Sequence, residues 1–459
     1  MTDPTAPSGK ISRSKPDATK IAQMLRRHQR FLAGAPGGMR AVLHFHDLSG
    51  YDLSNHDLSE SDLTGIKLSQ SRMNGTLFQR ANLYCADFRM ANLSHADFSR
   101  SDMRGVCMRG AELSDAILVE TDMRTASLAK YDGGGDMQFV EFEDSPSQLA
   151  AIVAKRADMT GAKLTDAFVL QADLTDAVLK NADLRGADLR NSVLIGTSLN
   201  GVDLSGAKLG GAAFAGADLT GANISGADFV DADLRGAIID PEIIDCEELK
   251  SSIRSRQLKF ERAELTKLLD NHKIWLDSLS KNGARANLSE VDMSGQTFAS
   301  ANLTIAQMAR CALRNSNLAG GIFALADLAF ADLRGADLGH ADLRGVNLER
   351  ATLTGANLSS AKLDPMEHVG LQQQATRTNL GRARLIGVNF RDADMRRTNL
   401  AGADLSGADL SGANLGEADL TAAKLTGAVL KGAVFLGAIL KGVVGLDDAT
   451  LAQIQNPAG

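Results

Sequence analysis

Three histidines close together, His44, His46 and His56, are the residues best suited to hold a metal ion. A structural or catalytic metal site needs three or four converging donors, and no cysteine or paired carboxylate stands at ligand spacing beside them. They read as structural imidazoles, and neither a metal nor a cofactor is expected. The second candidate is acidic. The string Ala-Asp-Leu recurs along the chain and sets aspartates at regular intervals. General acid–base catalysis requires two carboxyls in different environments, whereas a repetitive pattern supplies one environment many times. Asparagine also replaces aspartate freely, at Asn82, Asn92, Asn357 and Asn414, so the position demands a polar group and not a charge. Cys85, Cys107, Cys246 and Cys311 are far apart and form no Cys-x-x-Cys pair, which reads as free thiols. The Gly-x-Gly strings lack the strand-to-helix setting of a phosphate loop. No catalytic residue is assigned, and the chain is not expected to be an enzyme.

What must position any such residue is a period of five. From Ala401 to Leu440 a large apolar residue falls on every fifth position (Leu405, Leu410, Leu415, Leu420, Leu425, Leu430, Phe435, Leu440), with alanine two residues before each. Neither a strand (period two) nor a helix (period 3.6) explains this spacing, and a short period held this long signals a solenoid whose units bury their apolar residues by stacking. The pattern appears in four registers. The first runs from Leu43 to Leu128 with 18 positions and the second from Met159 to Ile239 with 17. The third runs from Leu288 to Leu363 with 16, and the fourth from Leu380 to Leu440 with 13.

Between the registers lie other signals. Ile21, Met24, Leu25 and Leu32 form one helical stripe with His28 between them. A glycine-rich acidic loop after Leu128 leads to a helix start at Ser145-Pro146, and Asp240-Pro241 opens a segment that reads as two helices, with Leu265, Leu268, Leu269, His272, Leu276 and Leu279 on one stripe. Asp364-Pro365 opens a further excursion through Thr378. Residues 21–32 match residues 265–276, and residues 40–50 match 285–295, so the chain reads as two tandem copies of helical cap, repeats, loop and repeats. His28 and His272 recur in the two copies as structural residues where helix meets first repeat.

Among 459 residues the formal charge is −7, a mild acidic excess that favours solubility over a strong electrostatic partner. The first twenty residues are polar, and no run of 18 apolar residues occurs, so a cytoplasmic protein without a transmembrane segment is the expectation.

The consensus Ala-[Asp/Asn]-Leu-[Ser/Thr/Arg]-Gly resembles the pentapeptide-repeat family over roughly three-quarters of the chain. That resemblance implies an all-β solenoid, a right-handed quadrilateral β-helix. In it, four units make a square coil, with the central residue and the residue two before it pointing inward. His46 and His56 would then lie on opposite edges of the first coil. The domain plan that follows is a disordered tail 1–17, an N-terminal cap helix 18–40 and a first β-helix 41–240 with an insert at 129–155. A helical linker or cap 241–283, a second β-helix 284–445 with an insert at 364–378, and a C-terminal cap or tail 446–459 complete two tandem rods.

Some family members protect a type II topoisomerase by resembling duplex DNA, and a regulator of that kind is the alternative the resemblance raises. Against it stand arginines interspersed at outward positions (Arg185, Arg190, Arg235, Arg334, Arg344) and the basic cluster from Arg377 to Arg397. The expected function is a non-enzymatic protein–protein interaction scaffold with no direct nucleic-acid binding. Apolar residues at outward positions mark its candidate surface: Phe168, Leu170, Val193 and Ile195; then Ile322, Leu325 and Phe330; then Val434, Leu436 and Ile439. The last group reads as covered by the tail or by a second copy of the protein, giving a homo-oligomer through the C-terminal end.

Overall fold

The computed structural model describes residues 16–126, 128–131, 137–140, 148–240, 242–257, 262–367 and 375–447. Its repeating unit is a tight corner. The central residue of each unit accepts a turn-closing hydrogen bond three residues on, as in Ile66 N–H to the Leu63 carbonyl at 3.1 Å. The residue two after the centre is left with positive φ, 63° at Gly65. Glycine enters that region without penalty, and at Gly65 a side chain would also meet the Phe45 ring. Many corners carry other residues, among them Asn55 (φ 57°) and the β-branched Ile305 (φ 62°), where left-handed backbone costs about 1–2 kcal/mol.

Four corners close a square of 20 residues. The residue before each centre pairs in parallel with its equivalent one coil away, so that Asp62, Asn82, Asp102 and Asp122 form one ladder. The central N–H groups carry it, for example Leu63 N–H to the Asn82 carbonyl at 2.8 Å. Since only one residue per edge is paired on each side, the right-handed quadrilateral β-helix shows as columns of single bridges instead of long strands. Inside, the central residues and those two before them are almost wholly buried, as with Leu405, Ala403, Leu410 and Ala408 at 0% exposure. A narrow lumen takes one large and one small side chain per edge. Phe78 and Phe98, one coil apart on the same edge, stack at 5.0 Å and 8°. Where serine or threonine replaces the inner alanine, the hydroxyl finds a carbonyl: Thr76 Oγ1 donates to Leu53 O at 2.7 Å and Ser192 Oγ to Val169 O at 2.7 Å.

The chain divides into two compact units, the first ending at Ile253 and the second beginning at Arg254, with Leu234–Ala237 grouped with the second. In the first unit, helix α1 (Ala18–Leu32) begins at Asp17, whose carboxylate accepts from Thr19 N at 3.2 Å. Strands β1 (Leu128–Tyr131) and β2 (Met137–Val140) pair antiparallel as an insert. The structure corrects three expectations here. Leu128 belongs to β1, so the first register ends at Met123. The second register resumes at Leu149 and not at Met159: Gln148 bridges both Cys107 and Phe168, leaving no helix over 148–155, while Ser145 and Pro146 lie outside the described residues. The period was hidden because Ile152 and Ala154 exchange roles, the large residue taking the inner place of the small one, both at 1% exposure or less. The volume is conserved and the pattern is not. Third, Asp240 opens no α-helix; its Oδ2 accepts from Gly221 N at 2.7 Å. A 3-10 turn, Glu247–Leu249, then brings Leu249 to 2% exposure and Ile253 into a bridge with Asp233.

Among the described residues of 241–280, one α-helix stands in place of the two expected, α2 (Arg262–Asp277), in the second unit. Leu265 is buried, but Leu279 lies past the helix end with φ 52° and 83% exposure, off the proposed stripe. Strand β3 (Arg256–Gln257) pairs parallel with β4 (Val291–Asp292). Strands β5 (Met366–Glu367) and β6 (Ala375–Thr376) form the second insert. The coil resumes directly after it, with Leu348 N donating to Asn379 O at 2.7 Å, so the third and fourth registers share one stack. The ladder ends at Lys424 and Val444, where Leu430 and Leu440 are only partly buried. Of the expected tails, 1–17 and 446–459, residues 1–15 and 448–459 lie outside the described residues, and Asp17 is the N-cap of α1.

Candidate interaction surface

The outward aspartates are occupied by their own turns. Asp47 Oδ1 accepts from the Ser49 N–H at 3.0 Å, and the same bond from the residue two further on recurs at Asp52, Asp87, Asp158, Asp203 and Asp419. Asparagine makes it equally well, as Asn92 does with Ser94 N at 3.1 Å, which is why the two interchange. Where arginine follows the central residue, the carboxylate is clamped a second time. Arg185 sends Nε and Nη2 to Asp183 at 2.8 and 2.7 Å, and Arg89, Arg104, Arg124, Arg190, Arg334, Arg344 and Arg396 do the same to their own aspartates. The Arg185 hydrogen bonds hold the Asp183 carboxyl below its usual range.

The histidines divide into two kinds. His44 Nε2 sits 2.7 Å from Asp62, His46 Nδ1 donates to the His44 carbonyl at 2.8 Å, and His56 Nδ1 donates to the Ser54 carbonyl at 3.0 Å. Among the described residues no group of three His, Cys, Asp or Glu could hold a metal ion. His28 and His272, both at 0% exposure, join helix to coil. Their Nδ1 atoms accept from the N–H groups of Ala41 and Ala286, each at 3.1 Å, and their rings stack on Phe31 and Trp275 at 5.8 Å. His272 Nε2 then donates to Thr304 O at 3.1 Å, whereas His28 Nε2 makes no hydrogen bond of ordinary geometry. Burial lowers both pKa values, because a charged imidazolium would be stripped of water there. Burial also pushes the Cys85 thiol up to about 12, which makes it unreactive at neutral pH.

The ten outward apolar residues do not form one surface. Phe168, 38% exposed, occupies a ladder position between Gln148 and Asp188, with half-buried Leu170 beside it. Val193 and Ile195, also half-buried, lie on the next edge, in the ladder of Asp173 and Ala213. In the second unit Leu325 and Phe330 are corner residues with φ 58°. The guanidinium groups of Arg310 and Arg350 each lie 5.9 Å from the Phe330 ring centre. Ile322 and Val434 share a ladder, Leu436 follows on the same edge, and Ile439 turns onto the next. Val434, Leu436 and Ile439 are 47%, 70% and 51% exposed, the most open of the ten.

Sequence reasoning missed a cleft of about 470 Å³ at this last site. Three successive coils supply its floor, and the first residues of the second insert, Asp364, Pro365 and Glu367, supply a wall. The one sequence signal was Gly416, a glycine in the place where most units carry Ser, Thr or Arg. A smaller cleft of about 260 Å³ lies by Arg104, Arg124 and Thr165. Both arginines there are already clamped on aspartates. Among the described residues no helix is long and apolar enough to cross a membrane.

The whole sequence matches no curated protein. Among solved structures it is similar to HetL, a pentapeptide repeat protein involved in heterocyst differentiation regulation from the cyanobacterium Nostoc sp. strain PCC 7120 (21% identity, 93% of this chain and 96% of that one, TM-score 0.19). A pentapeptide repeat protein of the Arabidopsis thaliana thylakoid lumen is 30% identical over 27% of this chain and 73% of its own (TM-score 0.14). QnrB1, a plasmid-mediated fluoroquinolone resistance protein, is 15% identical over 62% of this chain and 94% of its own (TM-score 0.20). The family pattern "pentapeptide repeats" matches residues 39–75, 61–100, 71–110, 81–119, 155–191, 197–236, 306–345, 331–364, 376–412 and 413–443. With its repeats, its square coil and that match over more than half its length, the chain belongs to the pentapeptide-repeat family.

Proposed function

We propose that this protein is a non-enzymatic interaction scaffold, a pair of rigid solenoid units that present local apolar departures to protein partners. One observation carries this reading: the outward carboxylates are consumed internally, by turn N–H groups and by neighbouring arginines, while Phe168, Ile322, Val434 and Leu436 remain open without an internal use. The same clamping argues against partial DNA mimicry, since a phosphate-like field needs carboxylates whose charge reaches solvent. Catalysis is disfavoured for a related reason, because turn N–H groups and arginines hold the repeated outward carboxylates in much the same surroundings, whereas an acid and a base need different ones.

The test is affinity capture of the tagged full chain from its source cells, compared with Phe168→Ser and with Val434→Ser/Leu436→Ser. A partner retained by the native chain and lost with one of these variants is the expected result. Capture unaffected by either, combined with dose-dependent inhibition of supercoiling by a type II topoisomerase, would replace the scaffold reading with mimicry.

A further inference from the structure

The cleft beside the second insert has a charge imbalance that specifies an occupant. Arg396 is held bidentately by Asp394 at 2.8 and 2.6 Å and lies 3.7 Å from Asp364. Arg397 sits between Glu367 at 3.8 Å and Glu417 at 3.9 Å. Three lining carboxylates, Asp364, Glu367 and Glu417, thus face two guanidinium groups, of which Arg396 is already engaged by Asp394. Burial, and after it the nearby Asp394 charge, pushes the Asp364 carboxyl above its usual range against the opposing pull of Arg396 and Arg344. Below this acidic rim, Val434 and Leu436 form an apolar floor.

Space for a chain comes from Gly416. Its N–H is bound by Asn414 Oδ1 at 3.1 Å like that of any residue following a central leucine, and its φ is not positive. A Cβ there would meet ordinary contacts at 3.6 and 3.8 Å and one tighter contact, 3.2 Å to the same Asn414 oxygen. Arg391 fills the corresponding place five units earlier, after Asn389 and Phe390, so glycine at 416 is not demanded by the backbone. It leaves the cleft open.

We propose that this cleft docks an extended basic–aliphatic peptide segment of a partner protein, its lysine or arginine meeting the Asp364, Glu367 and Glu417 carboxylates and its aliphatic side chain covering Val434 and Leu436. The lysine stem can lie along Leu436 while its ammonium reaches the rim. The segments flanking the cleft in sequence cannot supply this chemistry: residues 368–374 (HVGLQQQ) and 448–459 (DATLAQIQNPAG) contain neither lysine nor arginine.

This inference rests on the scaffold reading and names the partner chemistry of one of its surfaces. The experiment is titration of the purified full chain with a synthetic peptide, Gly-Ser-Lys-Leu-Lys-Leu-Lys-Ser-Gly, against counterparts with glutamate for lysine or serine for leucine. Binding of the first at least tenfold tighter than either counterpart, weakened as salt rises, is expected. Gly416→Arg, which fills the cleft with a residue the corner accommodates elsewhere, and Leu436→Ser should each lower affinity tenfold or more, with Phe168→Ser unaffected and the circular dichroism of all variants unchanged. Equal binding of the acidic peptide, or undiminished binding by Gly416→Arg, overturns the proposal. Because no cellular partner enters this titration, a failed cleft leaves capture through Phe168 standing, and a failed capture does not bear on the titration.

Discussion

The two units build the same square coil and treat its outer ladders differently. In the first, charge is met by charge: Asp87, Asp102, Asp122, Asp183 and Asp188 each hold the arginine two residues on, and Lys67, Arg72 and Lys155 reach Asp47, Asp52 and Asp173 one coil away. In the second, part of that work passes to amides bonded from coil to coil. Asn347 donates to Asp327 at 3.0 Å, Asn379 to Asn347 at 3.3 Å and Asn399 to Asn379 at 2.8 Å, and a parallel column joins Asn389, Asn357 and Asp337. An outer position therefore has two requirements, an acceptor for its own turn and a neighbour that does not repel it. Arginine and asparagine are two solutions of the second. The backbone is indifferent between them, which leaves the surfaces free to diverge while the lumen stays constant.

The sharpest way to break this comparison is to damage one lumen and watch the other. Phe98→Ala in the first unit should cost about 3–5 kcal/mol, and Leu353→Ala in the second about 2–5 kcal/mol, because both side chains are fully buried and a stacked coil collapses poorly around a void. Trp275, the chain's single tryptophan, reports on the second unit only. In urea titrations its fluorescence transition should move with Leu353→Ala and stay in place with Phe98→Ala. A common shift would mean that the two units unfold as one.

The paired histidines offer a smaller and more discriminating test. Removing either leaves the buried N–H of Ala41 or Ala286 without its acceptor, about 1–3 kcal/mol. His272→Ala should cost more than His28→Ala, since the bond of His272 Nε2 to Thr304 has ordinary geometry and His28 Nε2 makes none of that quality. Both folded pKa values lie below 6.5, so the unfolded chain takes up protons first. Their contribution to stability is complete above about pH 6.5 and is lost as pH falls through the folded values. Urea midpoints measured from pH 8 downward should therefore decline in the native chain and decline less in His28→Phe. Equal slopes would remove the histidines from the account.

The smallest effect concerns the clamps. Arg185→Ala should let the Asp183 carboxyl rise toward its ordinary range, seen by carboxyl NMR titration, with little change in melting temperature, because exposed ion pairs stabilise weakly. Asn399→Ala in the second unit should instead leave the carboxyl titrations unchanged, since its side chain donates to the neutral amide of Asn379 at 2.8 Å.

Much of this molecule was legible in its sequence because the fold is made of short-range demands repeated many times. A leucine at Leu63, a small residue two places earlier and a corner two places later each answer to neighbours within five residues, or within the same square one coil away. The alternation of Asp with Asn likewise announced a position that needs a polar group and not a charge. Legibility failed where that local rule was met in another way. Ile152 and Ala154 exchange large and small, Leu128 fits the period yet joins a hairpin, and Asp240 caps a coil where its proline neighbour suggested a helix. The candidate surface was only partly readable: exposed Val434 and Leu436 broke the polar rule in the sequence, but their cleft did not show there. It exists because residues 364–367 are placed against coils that come 30 to 70 residues later, and because Gly416 happens to face that gap. Period five by itself determined a solenoid that buries one large residue per unit, and the family resemblance of the repeat implied its square coil and outward polar columns. Only the tertiary structure decided which carboxylates are neutralised, how the two histidines hold helix to coil, and where apolar side chains meet an acidic rim, since each depends on groups distant in sequence arriving at one place.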